Sequence, residues 1–271
     1  MKQQGLISDF IYQVFSLFIA LIVVHALYVA VIRPNADAIL AQQTAMYEQD
    51  PNYVPPQSFY VILKDYEQES CVILTLWAFA ILGHKIRRNM NESTLLDRSL
   101  LNSAEGMSIL PQDARDFSRP LQALPLGERE FLLPRALLAG LQRFSATRNI
   151  ADVSSVIGDV CDNEANRLDN ELTIVRYIAW AIPSIGFIGT VRGIGQALSQ
   201  AQQAVQGDVM GVTTSLGVAF NSTLIALVVS IFIMFLLYQL QLMQDRLVLN
   251  TKNYCDNHLI RHLQVPERNE P

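Results

Sequence analysis

The chain has 271 residues, 51% of them hydrophobic and 17% charged, with 20 Lys and Arg against 25 Asp and Glu for a formal net charge of −5. There is no basic excess to suggest nucleic-acid binding, and the positive mean hydropathy with long uncharged runs marks a membrane protein. The three cysteines, Cys71, Cys161 and Cys255, lie far apart, match neither a metal spacing nor a disulfide framework, and read as separate free thiols.

Residues 1–9 carry one lysine, and residues 10–32 then run without a formal charge. That length crosses about 30 Å of hydrocarbon and exceeds a signal-peptide core, so an anchor that stays is expected. His25 interrupts this run. An intramembrane histidine is a functional candidate; the plainer alternative is a neutral imidazole satisfied by a backbone carbonyl or a nearby hydroxyl. Arg33-Pro34 is expected to end the helix. The segment to residue 69 is acidic, with Asp37, Glu48, Asp50, Asp65, Glu67 and Glu69 against Arg33 and Lys64, and Pro51, Pro55 and Pro56 break it. Residues 36–49 suggest a short surface helix.

Residues 71–83 are apolar over a stretch shorter than a usual span. Tyr66 and Trp77 suit an interface, and Lys85, Arg87 and Arg88 suit snorkelling. If this stretch crosses, there are four spans, both termini are cytoplasmic, and the acidic 33–69 loop lies outside. If it does not, there are three spans and the amino terminus is outside. The loop charges favour four, by the positive-inside rule.

Residues 89–175 are polar, and Pro111, Pro120, Pro125, Gly127 and Pro134 punctuate the first half. From Arg135 onward Leu141, Phe144, Ile150, Val153, Ile157, Val160, Leu168, Leu172 and Val175 recur at helical spacing. Bundle packing explains such a stripe better than a dedicated partner site does. No proline separates it from residues 174–182, so one long helix is expected to leave the membrane and continue into the cytoplasm.

The next apolar run contains Pro183-Ser-Ile-Gly-Phe-Ile-Gly-Thr-Val-Arg-Gly-Ile-Gly-Gln-Ala. Gly186, Thr190, Gly193 and Ala197 share one face, and Gly189 with Gly193 adds a small-xxx-small pair. Each glycine costs a helix in water about 1 kcal/mol relative to alanine, whereas in lipid glycines let helices approach closely. Residues 199–211 read as a short polar turn with one acid, Asp208. A last run, residues 212–240, repeats the pattern with Ser215, Ala219, Ser222, Thr223, Ala226 and Ser230, and Asn221 lies beside that stripe. Leu227, Val228, Ile231, Phe232, Phe235 and Leu236 suit lipid or neighbouring helices. The helix is expected to continue past Leu242 and Leu247 to Leu263, with residues 267–271 frayed.

The Pro183–Ile194 motif resembles the Pro-x-(Leu/Ile)-Gly-(Leu/Phe)-(Leu/Ile)-Gly-Thr-Val-x-Gly-(Met/Ile) signature of the MotA/TolQ/ExbB proton-channel family, nearest its TolQ/ExbB branch. Ala219-Phe-Asn-Ser-Thr-Leu-Ile-Ala-Leu-Val-Val-Ser-Ile is similar to that family's Ala-Leu-x-x-Thr-x-x-Gly-Leu-x-x-Ala-Ile helix. Ala226 stands where glycine is usual, Phe232 where proline is common, and Arg192 where an apolar or aromatic residue is expected.

The resemblance implies an all-α, polytopic protein of the bacterial inner membrane, with four transmembrane helices and long helices extending into the cytoplasm. Its regions would be a peripheral hairpin with an acidic outer loop (1–88), a cytoplasmic helical region (89–173), a pore-lining helix pair (174–241) and a cytoplasmic carboxy-terminal helix and tail (242–271). It implies a homopentamer around two helices of a MotB/TolR/ExbD-type single-span partner, whose aspartate takes and releases the proton. Thr190, Thr223, Ser222 and Asn221 would then line the proton path. Pro183, Gly186, Gly189, Gly193, Ala219 and Ala226 would pack around the partner, and Arg192 would pair with Asp208 or attract the partner's carboxylate.

Between Glu171 and Asp245 the only acid is Asp208, so the titrating carboxyl is expected from another polypeptide. No phosphate loop, nucleophile elbow or metal-ligand spacing is present, and no enzyme activity, metal or other cofactor is expected. His258 and His262 fall at i, i+4 and read as an exposed polar pair. Two rival readings stay open, a secondary transporter and a structural membrane scaffold. A transporter would be expected to carry an inverted repeat, and none is visible.

Overall fold

The structure, a computed structural model, describes residues 2–49, 53, 56, 58–101, 108–206 and 209–265. Its helices are α1 (Lys2–Leu27), α2 (Arg33–Gln49), α3 (Phe59–Leu63), α4 (Tyr66–Ser93), α5 (Ala114–Gln122), α6 (Leu126–Arg129), α7 (Leu132–Thr147), α8 (Ile150–Glu171), α9 (Thr173–Ser199), α10 (Ala201–Val205) and α11 (Met210–His258). A π turn, Tyr28–Ile32, joins α1 to α2, and a short 3₁₀ turn, Ile260–His262, follows α11. Among the described residues the only extended pairing is one parallel bridge between Ile109 and Leu263. The chain is thus all-α.

Four helical stretches are long and apolar enough to cross a membrane: Asp9–Tyr47, Tyr66–Ser93, Ile150–Ser199 and Met210–His262. The short apolar run at 71–83 lies inside one of them, so length no longer argues against a span there. Residues 150–199 are helical with one interruption, at Leu172, where a single unbroken helix was expected, and the helix beyond residue 240 runs to His258, short of the expected Leu263.

Three expectations are corrected. Arg33-Pro34 does not end a helix. The π turn immediately before it widens the backbone, with the Arg33 N–H donating to the Tyr28 carbonyl five residues back, so the proline ring enters α2 where a missing N–H costs little. The 199–211 connection holds the short helix α10. And Glu67 and Glu69 belong to no solvated loop: they form the first turn of α4 and are buried, a position where the helix macrodipole favours negative charge. The expected breaks at Pro51 and Pro55, the charges at Asp50 and Asp208 and the fraying of residues 267–271 lie outside the described residues.

The chain forms two compact units, each discontinuous in sequence. Met1–Gly83 and Ile174–Leu237 make the first. There α4 packs on α1, with the Trp77 indole donating to the Gln13 carbonyl at 2.9 Å and the Tyr12 hydroxyl to the Ala80 carbonyl at 3.1 Å. Large apolar side chains point outward: Phe10, Phe15, Phe18 and Ile22 on α1, Trp180, Phe187, Ile188 and Leu198 on α9, and Phe220, Ile231, Phe232 and Phe235 on α11. In water such a surface would aggregate; in lipid it is the solvated face.

His84–Thr173 and Tyr238–Pro271 make the second unit. Leu133, Leu137, Leu141 and Phe144 of α7 interdigitate with Val153, Ile157 and Cys161 of α8 and with Cys255 and Leu259. The turn between α7 and α8 is set by Arg148 in the left-handed region and by Asn149, whose side chain accepts from the Ala151 N–H at 2.9 Å. Buried Glu164 is paired by Arg135 at 2.9 Å and Arg167 at 3.3 Å, and Glu171 by Lys85 at 2.7 Å and Arg167 at 2.9 Å.

Proline also sits inside α9, at Pro183. Its missing N–H leaves the Ala179 carbonyl without its helical donor, and Ser230 of α11 donates to that carbonyl at 2.8 Å. Within a membrane such a freed group must be satisfied by a neighbour. Ser230→Ala is therefore expected to lower stability by about 1–3 kcal/mol, the cost of an orphaned buried acceptor. In a Pro183→Ala background, where residue 183 supplies its own N–H, the same change should cost less than about 1 kcal/mol. Thermal unfolding of the four proteins in detergent measures both numbers.

Candidate functional site

The first unit is built on the seam between α9 and α11. A Cβ added at Gly186 would lie 2.5 Å from the Ala226 Cβ, at Gly189 2.6 Å from the Ser222 Cβ, and at Gly193 2.7 Å from the Ala219 Cβ. The small residues of one stripe therefore interlock with those of the other inside a single chain. The space that glycine opens here is filled by α11.

Thr190 and Thr223 meet in this seam. Their hydroxyls are hydrogen-bonded to each other; Thr190 Oγ1 also lies 3.1 Å from the Ala219 carbonyl and 3.3 Å from the Gly186 carbonyl, and Thr223 Oγ1 lies 3.1 Å from the Gly186 carbonyl. Both side chains are half-buried. Ser222 is fully buried one position away, and donates to the Val218 carbonyl at 2.8 Å. Asn221 is half-buried on the flank of the same helix.

The first turn of α4 adds charge to this layer. Arg192 bonds Glu67 at 2.8 Å and lies 4.0 Å from Asp65; Asp208, its other expected partner, lies outside the described residues. The Gln68 amide donates to Ser222 Oγ at 3.2 Å. Glu69 is held by Arg33 and by His25 Nδ1, the latter at 2.7 Å. The His25 ring therefore meets a carboxylate, neither a backbone carbonyl nor a hydroxyl. Arg33 also lies over the Tyr66 ring at 4.3 Å. So Thr190, Thr223, Ser222 and the three glycines come together at one seam, Glu67 and Gln68 join it unforeseen, and Pro183 lies farther along α9 beside Ser230. One signal was available: Arg192 in an apolar helix demands a carboxylate, and residues 65–69 supply three acids immediately ahead of another apolar run.

The remaining candidates stand apart. Cys71, Cys161 and Cys255 are buried free thiols. His258 is exposed and stacks on Tyr254 with ring centroids 4.4 Å apart. Among the described residues no cluster of three or more His, Cys, Asp or Glu side chains is arranged to hold a metal ion.

The seam tolerates no added atom at its glycines. Gly193→Ala places a Cβ 2.7 Å from Ala219 and 2.8 Å from the Ser215 carbonyl, so the helices must separate, and a loss of about 1–3 kcal/mol is expected. Gly195, where a Cβ meets nothing within 4 Å, is the control: Gly195→Ala should be neutral or stabilising by up to about 1 kcal/mol. Unfolding midpoints of the purified variants compare the two.

The sequence profile of the MotA/TolQ/ExbB proton channel family matches residues 128–253. That region contains the whole of α7, α8, α9 and α10 and nearly all of α11. No curated protein and no solved structure matches the chain. The hydroxyl pair and the interlocking small residues both lie inside the matched region, so over residues 128–253, just under half of the chain, the sequence is similar to the MotA/TolQ/ExbB proton channel family.

Proposed function

We propose that this chain is the proton-conducting subunit of a motor driven by the proton-motive force in a bacterial inner membrane. Five copies would surround two helices of a MotB/TolR/ExbD-type single-span partner carrying the titrating aspartate. The observation that carries this reading is the Thr190–Thr223 pair at the α9–α11 crossing. Two hydroxyls, half-buried and backed by the Gly186 and Ala219 carbonyls, offer a docking place for a carboxyl group. Thr190, Thr223, Ser222 and Asn221 are the proposed path, and Lys85, Arg87 and Arg88 set the cytoplasmic side.

A single charge crossing 100 mV releases about 2.3 kcal/mol, enough to bias a conformational step. An assembly that couples protonation of the partner to rotation of its helices needs a wall whose own geometry does not yield. The seam, closed by glycine against alanine and serine, is of that kind.

Thr190→Val and Thr223→Val preserve shape and remove the hydroxyls. In complexes that assemble normally, each is expected to reduce proton flux into vesicles by at least about tenfold, equivalent to roughly 1.4 kcal/mol on the rate-limiting barrier. Full flux in both variants would favour a structural scaffold. Purification should bring down a small single-span protein with a membrane-embedded aspartate; conduction by this chain alone would favour a transporter-like reading.

A further inference from the structure

The geometry points to a second carboxyl on the conduction path, this one belonging to the chain itself: we propose that Glu67 exchanges protons with the path, with Arg192 as its counter-ion. The inference rests on the conduction reading above and deepens it.

Position is the first argument. The Glu67 Cγ lies where a Cβ on Gly189 would come within 3.2 Å of it, and the next residue of that helix is Thr190. Gln68, adjacent on α4, is bonded to Ser222, which precedes Thr223. The α4 turn therefore lies against the same short stretch of seam that holds the hydroxyl pair. Any side chain at position 189 would separate the carboxylate from the seam.

Charge is the second. Facing Glu67 are Arg192 from α9, Ser222 of α11 by way of Gln68, and, on its own segment, Lys64, Asp65, Glu69 and Cys71. His25 of α1 and Arg33 of α2 face Glu69. Lys64 pairs with Asp65 at 3.3 Å, Arg33 with Glu69, and Arg192 with Glu67. Each carboxylate thus has at least one basic partner. When Glu67 takes up a proton, Arg192 loses its partner, and Asp65, already 4.0 Å away, is the alternative. The guanidinium has two places to sit, one for each protonation state of Glu67.

The third is polar capacity left over in the layer. Gln68 is 1% exposed and its Oε1 accepts no hydrogen bond among the described residues; the buried Arg192 Nε donates none. A buried polar atom in this condition has the capacity to hold a water, and one bonded to Gln68 Oε1 would serve as proton acceptor. A hydronium reaching the layer gives its proton to a Glu67 carboxylate oxygen, leaving neutral carboxyl and water. The O–H bond then breaks toward the water beside Gln68, and the carboxylate recovers Arg192. One proton enters and one leaves.

Proteoliposomes holding the complex as purified, loaded with a pH-sensitive dye, read proton flux under an imposed potential. Glu67→Gln with Arg192→Gln removes both charges together and leaves no unpaired ion. Flux in that double variant is expected to fall at least about tenfold, while Glu67→Asp, which keeps a carboxylate, keeps most of it. Arg192→Gln alone, which leaves the buried Glu67 carboxylate without its counter-ion, should also lower flux at least about tenfold, and Arg192→Lys, which keeps the charge, should restore most of it. Wild-type flux that persists unchanged in the double variant overturns this inference alone, as does unchanged flux in Arg192→Gln, even if the double variant fails to assemble. Absence of flux from the wild-type complex overturns the conduction reading and this inference with it.

Discussion

The close approach of α9 and α11 is the constraint on which the first unit depends. Gly186, Gly189 and Gly193 have no side chain because Ala226, Ser222 and Ala219 occupy that space. In lipid, helices gain little from hiding apolar surface, since the solvent is itself apolar, and van der Waals contact between backbones takes its place. This contact brings Thr190 and Thr223 together, and it also brings the Ser222 hydroxyl within reach of α4. A seam one methyl wider would hold neither arrangement.

The same unit solves two backbone problems in different ways. Pro183 frees a carbonyl, which a serine from the facing helix takes over. At Pro34 the preceding turn widens, and the chain continues as α2 without a break. Both devices keep polar backbone groups bonded where water is scarce. The buried charges follow that rule too: Glu67 and Glu69 are each held by a basic side chain from a distant part of the chain.

What could be read from the residues alone was what is periodic. The spacing of Gly186, Thr190 and Gly193, and of Ala219, Thr223 and Ala226, placed the small faces and the hydroxyls correctly, and hydropathy located the long helices. What resisted was everything that depends on distant pairing. Residues 65–69 look like a proline-flanked acidic loop, since composition carries no record of an Arg192 partner 125 positions away. Pro34 looks like a stop, since the rule for proline presumes an ordinary α turn before it.

The hydroxyl pair also has a bookkeeping of hydrogens. Two threonines bring two O–H groups, and within the seam these meet three carbonyl contacts and each other. Both hydrogens are thus committed inside the chain, and only lone pairs are left to face a visitor. Such a surface greets a neutral acid, which arrives with its own hydrogen to give. A charged one must first turn a hydroxyl away from its carbonyl, surrendering a bond worth about 1 kcal/mol. The wall would therefore sort guests by the hydrogen they carry before any field across the membrane acts on them.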